Sequence, residues 1–132
     1  MERVLFLVLM FSVSMAGAGF DKGLACYESG DYSCALKEFQ AEADQGYASA
    51  QFNLGLMYDG GQGVKQDYFK AVEYYKLAAD QGSAIAQYNL GFMYSNGQGV
   101  KKDDFKAVEY FKLAADQGYV DAQYSLGLMY SN

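Results

Sequence analysis

The chain repeats itself at a fixed step of 36 residues, and that period limits what it can fold into more than any other feature. "AQFNLGLMY" begins at Ala50, "AQYNLGFMY" at Ala86 and "AQYSLGLMY" at Ala122, while "ADQG" recurs at Ala43, Ala79 and Ala115. "FKAVEYYKLAADQG" from Phe69 returns as "FKAVEYFKLAADQG" from Phe105. A single closed core imposes no such regularity, whereas stacked copies of one small unit do. Each unit must therefore bury its apolar faces against its neighbours.

Within a unit the apolar residues recur at the helical period. Ala50, Leu54, Met57 and Tyr58 fall on one face of a first helix, and Ala71, Tyr74, Tyr75, Ala78 and Ala79 on one face of a second that runs from about Asp67 to Ala79. Tyr58, Tyr94 and Tyr130 lie beside Leu and Met and are expected in the core. Gly55, Gly91 and Gly127 sit inside the first helix at a cost of about 1 kcal/mol each relative to alanine, so their recurrence predicts close approach of a neighbouring helix. Asp67 and Asp103 stand where an N-cap would, and Gly46, Gly82 and Gly118 where a second helix ends in a positive-φ residue. The chain has no proline, so nothing interrupts these runs. The fold class that follows is all-α, an array of antiparallel helix pairs.

The loops "GGQGVK" and "NGQGVK" invite comparison with phosphate cradles. They lack the lysine order of a P-loop and the third glycine of a dinucleotide fingerprint, and neither follows a strand. They read as turns, with Val64 and Val100 tucked against the hairpin.

The period, the pattern A-x-A-Q-[YF]-x-L-G-x-M-Y, the G-x-G-V-x-x-D loop and the A-A-x-Q-G ending together resemble Sel1-like repeats, relatives of the tetratricopeptide family. The resemblance covers residues 31–132 and implies a right-handed α/α superhelix whose inner surface binds other proteins. Where such repeats often carry tryptophan in the second helix, this chain has Tyr74 and Tyr110. The first unit, with its short connection, is more similar to a tetratricopeptide hairpin. The expected organisation is a capping hairpin over 19–46, repeats over 47–82 and 83–118, and the first helix of a further unit over 119–132. That last helix predicts either a bare cap or an array that continues past Asn132.

Residues 1–18 are of a different kind. "MER" precedes an apolar run, "VLFLVLMFSV", too short to span a bilayer, and small residues follow it. This is the pattern of a secretory signal peptide cut after Ala18, with Ala16 as the alternative site, so no stable membrane insertion is expected afterwards. Export to a periplasmic or extracellular space favours a disulfide between the two cysteines, Cys26 and Cys34. The five-residue step from Tyr27 to Tyr32 folds their helices into a hairpin that brings them together.

Composition narrows the function. The formal net charge is −6 and the lysines are scattered among acids, which is not the footprint of a nucleic-acid binder. With no histidine, Ser-His-Asp and Cys-His arrangements are impossible, no serine has a lysine three residues on, and a two-cysteine zinc site has nothing to complete it. Glu73 and Glu109, three residues before Lys76 and Lys112, read as exposed helix pairs. No cofactor is expected. The expected role is a scaffold that binds another protein or peptide, the alternative being a hydrolase acting on β-lactams or cell-wall material. Positions that change between copies are freest of packing demands and are the candidate partner contacts: Tyr47, Ser83 and Tyr119; Ser49, Ile85 and Asp121; and Asp59, Ser95 and Asn96 at the loop.

Overall fold

The computed structural model describes residues 19–132; the expected leader and its cut sites at Ala16 and Ala18 lie outside the described residues. Seven helices follow in order: α1 (19–28), α2 (Tyr32–Asp44), α3 (Ala48–Gly60), α4 (Tyr68–Asp80), α5 (Ala84–Asn96), α6 (Asp104–Asp116) and α7 (Val120–Ser131). Neighbours in sequence are neighbours in space, as in a solenoid. The odd helices share one side, since α1, α3 and α5 line a common groove. The even helices share the other, where Tyr74 of α4 donates its hydroxyl to Gln40 of α2 at 3.3 Å.

The expected helix boundaries hold. Asp31, Asp67 and Asp103 each accept a backbone N–H from the first turn at 3.1 Å, replacing an interaction that the helix end lacks. Gly46, Gly82 and Gly118 have φ of 92°, 94° and 88°, which lets the chain reverse after each even helix. The core is a string of small clusters, two of which join the second helix of one unit to the first helix of the next, and in them Phe39, Leu54, Met57, Tyr75 and Leu90 are fully buried. Each such side chain contributes about 1.5–3 kcal/mol on burial. The recurring glycines explain how the helices come so close. A Cβ on Gly55 would lie 2.5 Å from the Tyr75 ring, and one on Gly91 would lie 2.6 Å from the Phe111 ring.

Two expectations need correction. Tyr94 is buried and Tyr58 half-buried, but Tyr130 is 72% exposed: Tyr94 stacks on Tyr110 of the helix that follows it, and among the described residues no such helix follows α7. Gly127 on the same helix would meet nothing within 4 Å. The pairs Glu73–Lys76 and Glu109–Lys112 do not form; among the described residues the ion pair present is Lys22–Glu38 at 3.2 Å. All four side chains are exposed, where fixing two flexible chains gains little. Lys70 and Lys106 instead lie over the rings of Tyr58 and Tyr94, 5.1 and 5.3 Å from their centroids.

The first pair is clamped as expected. Cys26 and Cys34 form a disulfide across the turn, with Cα atoms 5.7 Å apart. The glycine loops join the two helices of a unit. Asp67 N–H returns to the Tyr58 carbonyl at 2.9 Å, Asp103 N–H to that of Tyr94 at 2.9 Å, and Val100 packs against the clusters on either side. Gly63 lies against Tyr32 and Gly99 against Tyr68, each the opening residue of the preceding even helix.

Candidate functional site

An open groove of about 560 Å³ runs across the starts of the odd helices. Phe20 and Leu24 of α1, Ala48 and Phe52 of α3 and Ile85 of α5 give it apolar walls, with Ser49, Asn53 and Ser83 as polar neighbours. Phe20 and Phe52 are held from behind by aromatic contacts, to Phe39 at 5.9 Å and Tyr75 at 5.7 Å. Ile85 is 39% exposed, an apolar side chain offered to whatever enters.

The groove exists because of one small residue. In the next unit Tyr119 lays its ring on Tyr88, 5.2 Å between centroids, and fills the corresponding space. Ser83 occupies the place of Tyr119, and Phe52 that of Tyr88, one 36-residue step earlier. The serine side chain turns back to cap α5, accepting the Ala86 N–H at 3.3 Å, and leaves the space in front of Phe52 open. Burial pushes the Tyr119 phenol above the ordinary tyrosine range, with the Asp121 carboxylate adding to the shift.

The nine positions singled out from the sequence do not form one patch. Ser49, Ser83 and Ile85 line the groove. Tyr47 and Tyr119 are half-buried N-cap residues and Asp121 is exposed, all at the same edge of the array. Asp59, Ser95 and Asn96 lie at the far ends of the odd helices, about 18 Å away by the helical rise. There Asp59 accepts the Tyr75 hydroxyl at 3.0 Å, and Asn96 donates to the Phe92 carbonyl at 2.9 Å, so both are engaged within the fold.

The sequence reading assigned no role to two recurring glutamines. Gln81 donates to Gln51 at 2.8 Å and Gln117 to Gln87 at 2.8 Å, while Gln87 donates to the Ala79 carbonyl at 3.2 Å. Gln87 thus joins the end of its own unit to the end of the one before, while Gln51 makes the bond within its own unit and Gln123, to the Ala115 carbonyl at 3.2 Å, the bond to the unit before. Gln51 and Gln87 are 5% exposed, and the Gln87 bond to the Ala79 carbonyl is buried. The recurrence of glutamine at a buried helical position was the available signal.

The family model of the Sel1 repeat matches residues 48–83, 84–119 and 120–132. The chain belongs to the Sel1 repeat family. Sel1 repeat proteins generally serve as scaffolds for protein–protein interaction. Two solved Sel1 structures share the architecture. One is the protective antigen c5321 of uropathogenic Escherichia coli, at 43% identity and a TM-score of 0.82, covering 87% of this chain and 26% of that one. The other is a Sel1 repeat protein from Oxalobacter formigenes, at 33% identity and a TM-score of 0.80, covering 83% of this chain and 45% of that one. The chain is also 38% identical over 66 residues to the DAP3-binding cell death enhancer 1 of Rattus norvegicus, half of this chain but 13% of that relative's length. Among the described residues no group of Sel1-repeat side chains is arranged to hold a metal ion, and no helix is long and apolar enough to cross a membrane.

Proposed function

We propose that this chain is an exported scaffold that captures a partner protein through the groove between α1, α3 and α5, with no chemistry of its own. The observation that carries the reading is the open, apolar space in front of Phe52, created by serine where another unit has tyrosine. The occupant that suits it is an apolar segment with basic rather than acidic flanks. Helices α3, α5 and α7 contain no lysine or arginine. The edge onto which the groove opens carries Asp44, Asp80, Asp116 and Asp121, and a carboxylate-rich rim repels an acidic partner. Export is supported by the leader-like pattern of residues 1–18 and by the disulfide, which persists in oxidising compartments.

The test is capture of partners from the exported fraction by the wild-type chain and by Ser83→Tyr, which puts a ring where Tyr119 already carries one. The expected result is a partner retained by the wild type and lost with S83Y, while both proteins unfold at similar temperatures. Capture indifferent to S83Y assigns the partner to another surface and overturns the groove. Hydrolysis of a β-lactam above a denatured control overturns the absence of chemistry.

A further inference from the structure

Glu42 is a carboxylate in the wrong place. It is 7% exposed on the inner face of α2, where the two following units have the fully buried alanines Ala78 and Ala114. Among the described residues its Oε2 has no hydrogen-bond partner. A buried carboxylate oxygen without a donor is costly and calls for a cation or a donor nearby.

The helix pair it belongs to closes like a zipper, and the register shows what lies opposite. From the turn outwards, Cys26 is bonded to Cys34, Lys22 pairs with Glu38 at 3.2 Å, and Gly23 sits under Phe39, whose ring carbon would be 2.6 Å from a Cβ there. The next rung brings Gly19 against Glu42. A Cβ on Gly19 would collide with Oε1 and lie 3.1 Å from the carboxyl carbon. The Gly19 nitrogen is bonded to the same Cα, so it lies within about 6 Å of that carboxyl. Gly19 is also the first residue after Ala18, the expected cut site.

We infer that removal of residues 1–18 completes this helix pair: the Gly19 amine, freed as an ammonium ion, pairs with the Glu42 carboxylate. The inference rests on the reading of that segment as a leader. Water adds across the Ala18–Gly19 peptide bond, with a signal peptidase supplying the hydrolysis. Ala18 leaves as a carboxylate, and Gly19 takes a proton to become an ammonium. A positive charge at a helix start is opposed by the helix dipole, so an uncompensated terminus would weaken α1, and Glu42 supplies the compensation. Before cleavage the nitrogen is a neutral amide and brings no charge to Glu42. Glycine at 19 keeps Cβ out of the carboxylate's way.

The exported protein is sequenced from its amino terminus, and the mature chain is then compared with its Nα-acetylated form, each also as Glu42→Gln and Glu42→Ala. The expected mature start is Gly19. Acetylation lowers the unfolding temperature of the wild type by about 5 °C. In E42Q and E42A, where the ammonium only opposes the helix dipole, it does not lower the unfolding temperature, and the acetylated wild type is no more stable than acetylated E42A. An equal effect of acetylation with and without Glu42, or none in the wild type, overturns the pairing. An exported protein that starts at Gly17 overturns it as well while leaving export intact, whereas an exported chain that retains residues 1–18 removes the leader reading too.

Discussion

Asp59 accepts a hydrogen bond from the Tyr75 hydroxyl at 3.0 Å, and one step of 36 residues later both partners change together, to Ser95 and Phe111. The variation at 59 and 95, which from the sequence looks like surface freedom, is coupled to the core. Burial raises the Tyr75 phenol well above the ordinary tyrosine range, with the Asp59 charge and its hydrogen bond adding to the shift. A phenol raised on folding holds its proton when the unfolded chain has lost it. Its contribution is therefore complete below about pH 10, the unfolded value, and is lost as pH rises beyond it. The urea midpoint should fall from pH 8 to above pH 10 for the wild type, and fall less for Tyr75→Phe. At pH 8, Y75F should cost about 1 kcal/mol, and Asp59→Ser combined with Y75F should cost less than the two added separately.

The three odd-helix glycines give an internal comparison. Gly55→Ala and Gly91→Ala push a methyl into the Tyr75 and Phe111 rings and should each destabilise by about 1–3 kcal/mol, through displaced packing. Gly127→Ala meets open space and should be neutral or stabilise by up to about 1 kcal/mol, through helix propensity. Denaturant melts of the three variants would show whether the sign changes along the array.

Gln87→Ala removes the bond to the Ala79 carbonyl of the preceding unit and the bond from Gln117 within its own. A loss of about 1–2 kcal/mol is expected from the two bonds, since the Ala79 carbonyl keeps the Gly82 N–H and Gln117 reaches water. Gln123→Ala should cost less, since Gln123 makes its bond to Ala115 from an exposed position. Equal losses for the two variants would show that the bond to the preceding unit carries the whole effect and the Gln117 bond none.

The Cys26–Cys34 bridge closes a loop with a sequence separation of 8 and should stabilise by about 2–3 kcal/mol through the entropy of the unfolded chain. Intact mass should rise by two hydrogens on reduction, and the reduced protein should open first at its amino-terminal pair. Hydrogen exchange confined to α1 and α2 would report that order of events, and uniform loss of protection would refute it.

By itself the sequence determined the period, the helices and their ends. A 36-residue self-similarity, the Asp caps and the closing glycines depend on local rules, and local rules are written in neighbouring residues. It also pointed to a bridge between the only two cysteines, which the fold then placed within reach of each other. What lies between units was decided by tertiary structure alone. That Tyr130 is exposed where Tyr94 is buried depends on a helix that packs over one and not the other. That Ser83 opens a groove depends on Phe52 having no ring laid against it from that position, and that Gln87 ties two units depends on a carbonyl eight residues back. A repeat specifies its own helices through its own residues, but a site between repeats arises only when two copies, already folded, meet with unequal side chains.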